Sequence, residues 1–159
     1  MADSPIATYS DSIEIAAPPA KVWPLVTALE RHGEWSTENT GGYWKKGEDG
    51  QPGTGKVGEF FVGVNKDGDR EWKAQVEIVE RDENKSFGFV TGGVAMNFAL
   101  WRYVLEPSGS GTKLTEEYEL RTKTPPMVEN GLPAIDERMA TNRVSIAATL
   151  AGIKAVAEG

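Results

Sequence analysis

The sequence predicts an α+β fold, in which a curved antiparallel β-sheet wraps around a long C-terminal α-helix and two short helices follow the first strand. Apolar residues recur at helical spacing through residues 133–158. Upstream of them, several short segments alternate apolar and polar side chains, as strands with one buried face do. Because a single long amphipathic helix needs a broad apolar surface to lie on, a curved sheet is its expected partner.

The C-terminal helix is predicted from one apolar stripe. Spacings of three, four or their sum place on one face Ile135, Met139, Asn142, Ile146, Leu150, Ile153 and Ala157. The opposite side is expected to face solvent and carries Glu137, Arg138, Arg143, Lys154 and Glu158. The stripe thins in its middle, at Asn142 and at the small residues Ala140 and Ala147. Two interpretations remain open: ordinary packing variation, or a helix that roofs a cavity.

The first third of the chain predicts one strand, two short helices and a loop. A strand is expected over residues 7–16, and Pro18 and Pro19 stop it and favour the start of a helix over 19–29. A second helical piece is expected at 30–35. Residues 36–56 are rich in glycine and predict a long loop, which is uncommon in a compact domain unless it is functional. Tyr43 and Trp44 are adjacent large aromatic residues whose side chains this loop can bury. We therefore predict that the segment forms a mobile rim over a pocket entrance.

The remaining strands are predicted at 57–65, 71–81, 86–91, 97–106 and 112–121. Asp67-Gly68 is a strong hairpin signal between the first two of them, and the segment 107–111 favours another hairpin between the last two. Thr124-Pro125-Pro126 is expected to end the sheet, followed by an irregular linker to the last helix. The sequence contains no internal repeat.

Alternation with a period of two predicts which side chains share the inner face of the sheet. In the last strand Glu116 falls between Leu114 and Tyr118, so its carboxylate is expected to point inward. A β-bulge would reverse any such assignment beyond it. The other inward residues are expected to be Leu120, Trp72, Ala74, Val76, Ile78, Phe87, Phe89, Trp101, Tyr103 and Leu105, with Phe61 joining the same aromatic set.

Composition excludes several function classes. The 159 residues predict one domain, 1–159, with a core from about residue 7 to residue 158. The net charge of −7 argues against binding to nucleic acid or to anionic membranes. With no cysteine there is no disulfide or thiolate chemistry. Residues 1–12 are polar and acidic, unlike a signal peptide, and no apolar run is long enough to insert into a membrane, so a cytoplasmic protein is expected.

Three local motifs do not predict the functions that they superficially suggest. Residues 53–58 match G-x-G-x-x-G, but a strand instead of a helix follows them, so nucleotide binding is not expected. Residues 65–69 resemble a calcium loop, yet Arg70 stands where glycine is required, and a hairpin turn explains them better. His32 is the single histidine and is predicted to have a surface or capping role. No metal site and no cofactor are therefore predicted.

A family resemblance runs along most of the chain. It is carried, in order, by Ile15-Ala-Ala-Pro18, Val22-Trp23, Glu34-Trp35, residues 55–61, Asn65, Gly68, Trp72, Val76, Phe87-Gly-Phe89, residues 101–107 and residues 111–116. In this order they resemble the START-like helix-grip superfamily (the SRPBCC proteins), and most closely its polyketide cyclase/dehydrase branch. The resemblance implies a deep apolar cavity between sheet and C-terminal helix for lipids, polyketides or other hydrophobic molecules. The family has no shared catalytic signature, so the resemblance does not establish an enzyme.

The leading hypothesis is a binding module for a small hydrophobic molecule, as a monomer or homodimer. The alternatives are a cofactor-independent polyketide cyclase or dehydratase that uses acid–base residues, a regulatory or partner-binding domain, and aromatic residues that merely fill the core. The candidate ligand-binding residues are Trp35, Tyr43, Trp44, Phe61, Trp72, Phe89, Trp101, Tyr103, Glu116, Tyr118, Met139, Asn142, Arg143 and Ile146.

Glu116 is the candidate catalytic residue. An inward, ionised carboxylate without a partner is costly, so Glu116 is expected either to find a partner or to keep its proton. Arg143 and Tyr103 are the candidate partners. Pairing with arginine would make Glu116 structural, whereas desolvation among aromatic side chains would raise its pKa and leave a general acid or base. We expect a structural or ligand-orienting role.

Overall fold

The structure, a computed structural model, describes residues 4–159, so residues 1–3 of the predicted polar N-terminus lie outside the described residues. The elements follow in the order β1 Ala7–Ile15, α1 Pro19–Thr27, a 3₁₀ helix Leu29–Glu34, β2 Asn39–Trp44, β3 Phe60–Asp67, β4 Arg70–Asp82, β5 Ser86–Thr91, α2 Gly93–Met96, β6 Ala99–Ser108, β7 Gly111–Leu120, α3 Pro125–Asn130 and α4 Leu132–Glu158. The strands form one seven-stranded antiparallel sheet in the order β1-β7-β6-β5-β4-β3-β2. The predicted α+β fold, with a long C-terminal helix, is confirmed.

The inward and outward faces of the strands follow the predicted alternation. In β7, Leu114, Glu116, Tyr118 and Leu120 are all buried, while the residues between them are more exposed. A bulge between Ile78 and Glu80 interrupts β4. Beyond it the parity reverses, which places the guanidinium of Arg81 5.5 Å from the ring centre of the core residue Trp23.

The apolar stripe of α4 is confirmed and packs on β1 and α1. Ile146, Leu150 and Ile153 are at most 2% exposed. Near its end α4 lies against Trp35, and a Cβ atom at Gly152 would come within 2.0 Å of the Trp35 Cβ. Glycine at this position therefore permits the close approach of the helix to the 3₁₀ segment.

The prediction of a continuous loop over 36–56 is wrong, because residues Asn39–Trp44 form β2, paired with β3. Gly42 explains the error. It has φ +148°, and a Cβ there would come within 2.1 Å of the Val62 carbonyl oxygen. This glycine allows a tight strand pairing rather than a flexible loop.

Two short helices were not predicted. The linker after Thr124 contains α3, because Pro125 and Pro126 occupy the first helical positions, where a missing N–H costs nothing. The short helix α2 connects β5 to β6 and begins after Gly92, which has φ +84°. Both helices lie in segments with too few residues to show a helical period.

Candidate functional site

A cavity of about 440 Å³ lies between the concave face of the sheet and one side of α4. Aromatic side chains from β3 to β7 form much of its wall: Phe61, Trp72, Phe89, Trp101 and Tyr118. The rings of Trp101 and Tyr118 meet edge to face with their centres 4.6 Å apart. Opposite each other on β3 and β4 lie Gly63 and Ala74, which also line the cavity. Their small size leaves room where larger side chains would fill the sheet face.

The helix lines the cavity with its polar flank. The residues of α4 that reach the cavity are Ala134, Glu137, Arg138, Thr141, Ser145 and Thr149. Met139, Asn142 and Ile146, which the stripe suggested as the cavity roof, are buried in the protein but do not line the cavity. The stripe lies on β1 and α1 instead. The cavity wall is therefore apolar on the sheet side and rich in hydroxyl groups on the helix side.

A cluster of buried polar side chains, His32, Tyr103 and Glu116, forms another part of the lining. Tyr103 and Glu116 face each other across β6 and β7. His32 comes from the 3₁₀ helix, and its ring centre lies 5.9 Å from that of Tyr103. We refer to these three residues as the buried polar cluster.

Glu116 is 2% exposed, and its Oε1 has no hydrogen-bond partner among the described residues. Burial raises the pKa of Glu116 to about 8; a hydrogen-bonding interaction with Tyr103 opposes the rise, and the negative charge of Asp11 on β1 adds to it. The predicted partner Arg143 is not paired with Glu116, because its guanidinium lies over the Tyr9 ring at 5.6 Å. At neutral pH most of the protein therefore carries Glu116 as the neutral acid.

His32 is 7% exposed, so the predicted surface position is wrong, while the predicted capping role is confirmed. Its Nε2 lies 3.2 Å from the carbonyl oxygen of Leu25 and 3.0 Å from that of Val26, both near the C-terminus of α1. Because both neighbours are acceptors, Nε2 carries the proton and Nδ1 is the acceptor of the neutral ring. Burial lowers the pKa of His32 to about 4, although the two carbonyl groups oppose this.

An ion pair stands beside the cavity between α4 and the segment that precedes β2. Arg138 Nη1 donates to Glu38 Oε1 at 2.9 Å and to Asn142 Oδ1 at 3.3 Å. The side chains of Arg138 and Glu38 are only 27% and 16% exposed. The prediction that Arg138 faces solvent is therefore wrong. The partner carboxylate on another element draws its long side chain across the helix flank.

Half of the predicted ligand-binding residues come together around the cavity: Phe61, Trp72, Phe89, Trp101, Tyr103, Glu116 and Tyr118. The structure places the others elsewhere. Trp35 is a core residue, Met139, Asn142 and Ile146 lie on the packed stripe, and Arg143 lies over Tyr9. Tyr43 and Trp44 are outside the lining too.

The predicted mobile rim at Tyr43 and Trp44 rested on a loop that the structure replaces by β2. Adjacent strand residues point to opposite faces. Trp44 packs edge to face on Phe61 at 5.1 Å and donates its Nε1–H to Glu30 Oε2 at 2.9 Å. Tyr43 is half exposed on the other face, beneath the amino group of Lys73.

Sequence reasoning missed several lining residues, among them His32, Glu38, Arg138, Thr141 and Ser145. For the helix residues a usable signal existed: the hydroxyl-bearing Thr141, Ser145 and Thr149 repeat at four-residue spacing beside the apolar stripe. His32 lies in a six-residue 3₁₀ helix and Glu38 in the irregular segment before β2, and neither is long enough for a period to indicate the direction of a side chain.

The described residues, 4–159, contain no group of three or more His, Asp or Glu side chains that could hold a metal ion. Within the same residues no helix is long and apolar enough to cross a membrane.

Comparison with known proteins identifies relatives of this arrangement. Residues 7–158 match the model of the family described as polyketide cyclase/dehydrase and lipid transport. The solution structure of a polyketide cyclase-like protein from Corynebacterium glutamicum is 32% identical, with 94% of this chain and 90% of that chain covered and a TM-score of 0.65. A search among curated proteins finds no match.

Two more distant structures share the fold. A protein of Thermus thermophilus is 16% identical, with a TM-score of 0.73 over 95% of this chain and 97% of that one. The di-domain ARO/CYC protein BexL from the BE-7585A biosynthetic pathway is 15% identical, with a TM-score of 0.74 over 96% of this chain and 50% of its own. Since the family model spans nearly the whole chain and the Corynebacterium protein exceeds 30% identity, this protein belongs to the polyketide cyclase/dehydrase and lipid transport family.

Proposed function

We propose that the protein binds a small, largely hydrophobic molecule in the cavity between the sheet and α4. The observation that carries the proposal is the cavity itself, with a volume of about 440 Å³ and a wall of aromatic side chains. This volume lies within the usual range of ligand pockets, and an apolar wall with few polar groups is typical of them. Membership of a family described by polyketide cyclisation and lipid transport supports the same class of ligand.

The proposed contacts are the aromatic residues together with Tyr103 and Glu116. The pair Gly63 and Ala74 supports the proposal further, because two small residues face each other where the sheet would otherwise be filled. Apolar side chains that line a cavity have fewer packing contacts than those in a filled core, and an apolar ligand of matching shape supplies such contacts.

Filling the cavity tests the proposal. Ala74→Trp places a large ring in the cavity, and Lys73→Trp, its exposed neighbour on β4, serves as the matched control. The probe is N-phenyl-1-naphthylamine, an uncharged apolar dye whose fluorescence increases in apolar surroundings. We expect dye binding by the wild type and by Lys73→Trp, and at least about tenfold weaker binding by Ala74→Trp.

Equal dye binding by all three proteins would contradict a cavity site. An independent measurement is native mass spectrometry of the protein purified from its natural host, in which a retained small molecule would identify the ligand. Any ligand that binds only the folded state also raises the thermal midpoint with concentration.

A second candidate function is a cofactor-independent cyclase or dehydratase. The specific observation in its favour is the buried polar cluster, where burial raises the pKa of Glu116 to about 8 beside the Tyr103 hydroxyl. In an intramolecular aldol condensation, the ionised fraction of Glu116 removes a proton from a carbon next to a carbonyl group, and that carbon bonds to a distant ketone. The oxygen of that ketone then takes the proton back from Glu116. Water leaves in a later step.

Turnover distinguishes the two functions. The substrate to use is a synthetic linear triketone, whose cyclisation to an aromatic ring is followed by absorbance. If the protein is an enzyme, the wild type should accelerate the cyclisation of the triketone. The rate should then fall by about a hundredfold or more in Glu116→Gln, since a positioned acid or base contributes 10²–10⁴-fold. Stabilisation by the triketone without turnover favours the binding function.

A further inference from the structure

The strongest unexplained feature of the cavity is the unpaired oxygen of Glu116. Oε1 of this side chain has no hydrogen-bond partner among the described residues, although the residue is 2% exposed and lines the cavity. Buried polar atoms in proteins are nearly always paired with protein or with ordered water, so an oxygen in a ligand cavity that lacks a protein partner is a position where a ligand group can form a hydrogen bond.

The surroundings of Glu116 restrict which ligand group can supply that bond. Tyr103 on β6, His32 on the 3₁₀ helix and Asp11 on β1 are the titratable neighbours, and none of them brings a positive charge at neutral pH. On the helix side Arg138 is held by Glu38 at 2.9 Å. The charged residues of the whole lining are Glu38, Asp67, Glu116, Glu137, Arg70 and Arg138. Arg70 lies over the Trp72 ring on β4, and β5 and β6 separate this strand from β7. A ligand carboxylate would therefore meet no free cation near Glu116, and its burial would be costly.

The protonation state of Glu116 further restricts which ligand group can pair with its Oε1. When the carboxyl is neutral it can donate from one oxygen, and when it is ionised it only accepts. A ketone oxygen pairs with the neutral form alone, and an ammonium group with the ionised form alone. A hydroxyl group accepts from the neutral acid and donates to the carboxylate, so it pairs with Oε1 in both states.

We propose that the ligand is an uncharged aromatic molecule whose hydroxyl group hydrogen-bonds to Glu116 Oε1, while its rings lie against Trp101, Tyr118 and the other aromatic walls. This inference rests on the proposed binding function and names the ligand class for the same site. The edge-to-face pair of Trp101 and Tyr118 presents an aromatic surface on which ligand rings pack favourably.

A matched set of probes tests the proposal. The compounds 2-naphthol, 2-methylnaphthalene, 2-naphthoate and 2-naphthylmethylammonium share one ring system and differ in a single group. Affinities come from NMR titrations that follow the indole N–H signals of Trp72 and Trp101, both of which line the cavity. We expect 2-naphthol to bind the wild type about three- to tenfold more tightly than 2-methylnaphthalene, which is the range of one net hydrogen bond, and the naphthoate to bind weakest.

Variants at Glu116 test whether this side chain causes the preference for 2-naphthol over 2-methylnaphthalene. Glu116→Leu removes both the donor and the acceptor and is expected to abolish the preference for 2-naphthol while 2-methylnaphthalene still binds. Glu116→Gln keeps one donor group and one acceptor and should retain part of the preference. Glu117→Leu, on the opposite face of the same strand, is the control and should leave the preference unchanged.

The outcomes are distinguishable. Equal affinity of the wild type for 2-naphthol and 2-methylnaphthalene overturns the hydroxyl contact but leaves the binding function standing. A preference for the ammonium compound overturns it in favour of a cation paired with ionised Glu116. Failure of all four probes to bind, together with failure of the dye test, overturns the binding function itself. If Glu116→Leu does not fold, the wild-type series and Glu116→Gln still decide.

Discussion

Glu116 and Glu117 are adjacent on β7 and carry the same side chain, yet they lie on opposite faces of the sheet. Glu117 faces outward, where its Oε1 accepts a hydrogen bond from Arg102 Nη1 at 2.9 Å and 40% of its side chain is exposed. Glu116 faces the cavity, is 2% exposed and leaves Oε1 without a partner among the described residues. Arg102 also holds Glu80 at 2.9 Å, so the outer face satisfies its charges where the inner face does not.

The difference shows that the chemistry of a carboxyl group in this protein is decided by its face of the strand. The outer carboxylates contact a guanidinium group and solvent, and both stabilise the ionised form. Burial raises the pKa of Glu116 to about 8, so the inner carboxyl holds a proton at neutral pH. An uncompensated buried group destabilises a fold, and it persists most readily where function requires it.

The largest expected effect is the pH dependence of stability at Glu116. The folded pKa is about 8, above the ordinary value of 4.5, so the folded protein holds a proton that the unfolded chain releases between these values. Stability is therefore fully present below about pH 4.5 and declines up to about pH 8, in total by on the order of 5 kcal/mol at about 1.4 kcal/mol per unit. Glu116→Gln should remove this decline, as measured by urea unfolding at several pH values.

If the stability of Glu116→Gln declines between about pH 4.5 and about pH 8 as that of the wild type does, Glu116 is not the cause of the decline. The effect of the substitution on stability should stop changing with pH below about pH 4.5, where the carboxyl is protonated in both the folded and the unfolded state.

A second, smaller effect of opposite sign is expected from His32. Burial lowers its folded pKa to about 4 from the ordinary value of 6.5, so the unfolded chain binds a proton that the folded protein refuses. Stability is present above about pH 6.5 and falls as the pH drops toward 4, by roughly 3 kcal/mol. Between about pH 4.5 and 6.5 the contributions of His32 and Glu116 offset each other, and the wild-type profile should be nearly flat there.

The variant His32→Gln tests whether His32 causes this second effect. Glutamine can still donate to the carbonyl groups of Leu25 and Val26, but it does not titrate. In this variant the Glu116 decline should begin at about pH 4.5 with no flat region. A flat region that survives the substitution would show that His32 is not its cause.

The smallest effect is expected at Glu117. Glu117→Gln removes a partly exposed ion pair with Arg102, which retains Glu80 as a partner. Such pairs contribute little, so the free energy of unfolding should change by less than about 1 kcal/mol. A loss of unfolding free energy as large as the one expected at Glu116 would contradict the difference between the two faces of the sheet. Urea unfolding beside Glu116→Gln makes the comparison direct.

Most of the sheet could be predicted because strand alternation is a local property. The period of two placed Glu116, Tyr118, Trp101 and Tyr103 on the inner face, and the structure places them there. The segment around Gly42 could not be read in this way, since a strand rich in glycine carries no alternation and is defined only by its partner β3. The apolar stripe of α4 was predicted, but the side of the helix that faces the cavity was not.

By itself the sequence determined the order of the major elements, the buried stripe of α4 and the inward direction of Glu116, because each depends on the spacing of residues along one element. Only the tertiary structure decided that the stripe lies on β1 and α1, that Arg138 instead of Arg143 stands beside the cavity, and that His32 is buried within it. The physical reason is that the rotation of a helix about its axis and the path of an irregular segment are set by contacts with distant elements. Those contacts are also what leave Glu116 buried without a partner for Oε1 among the described residues.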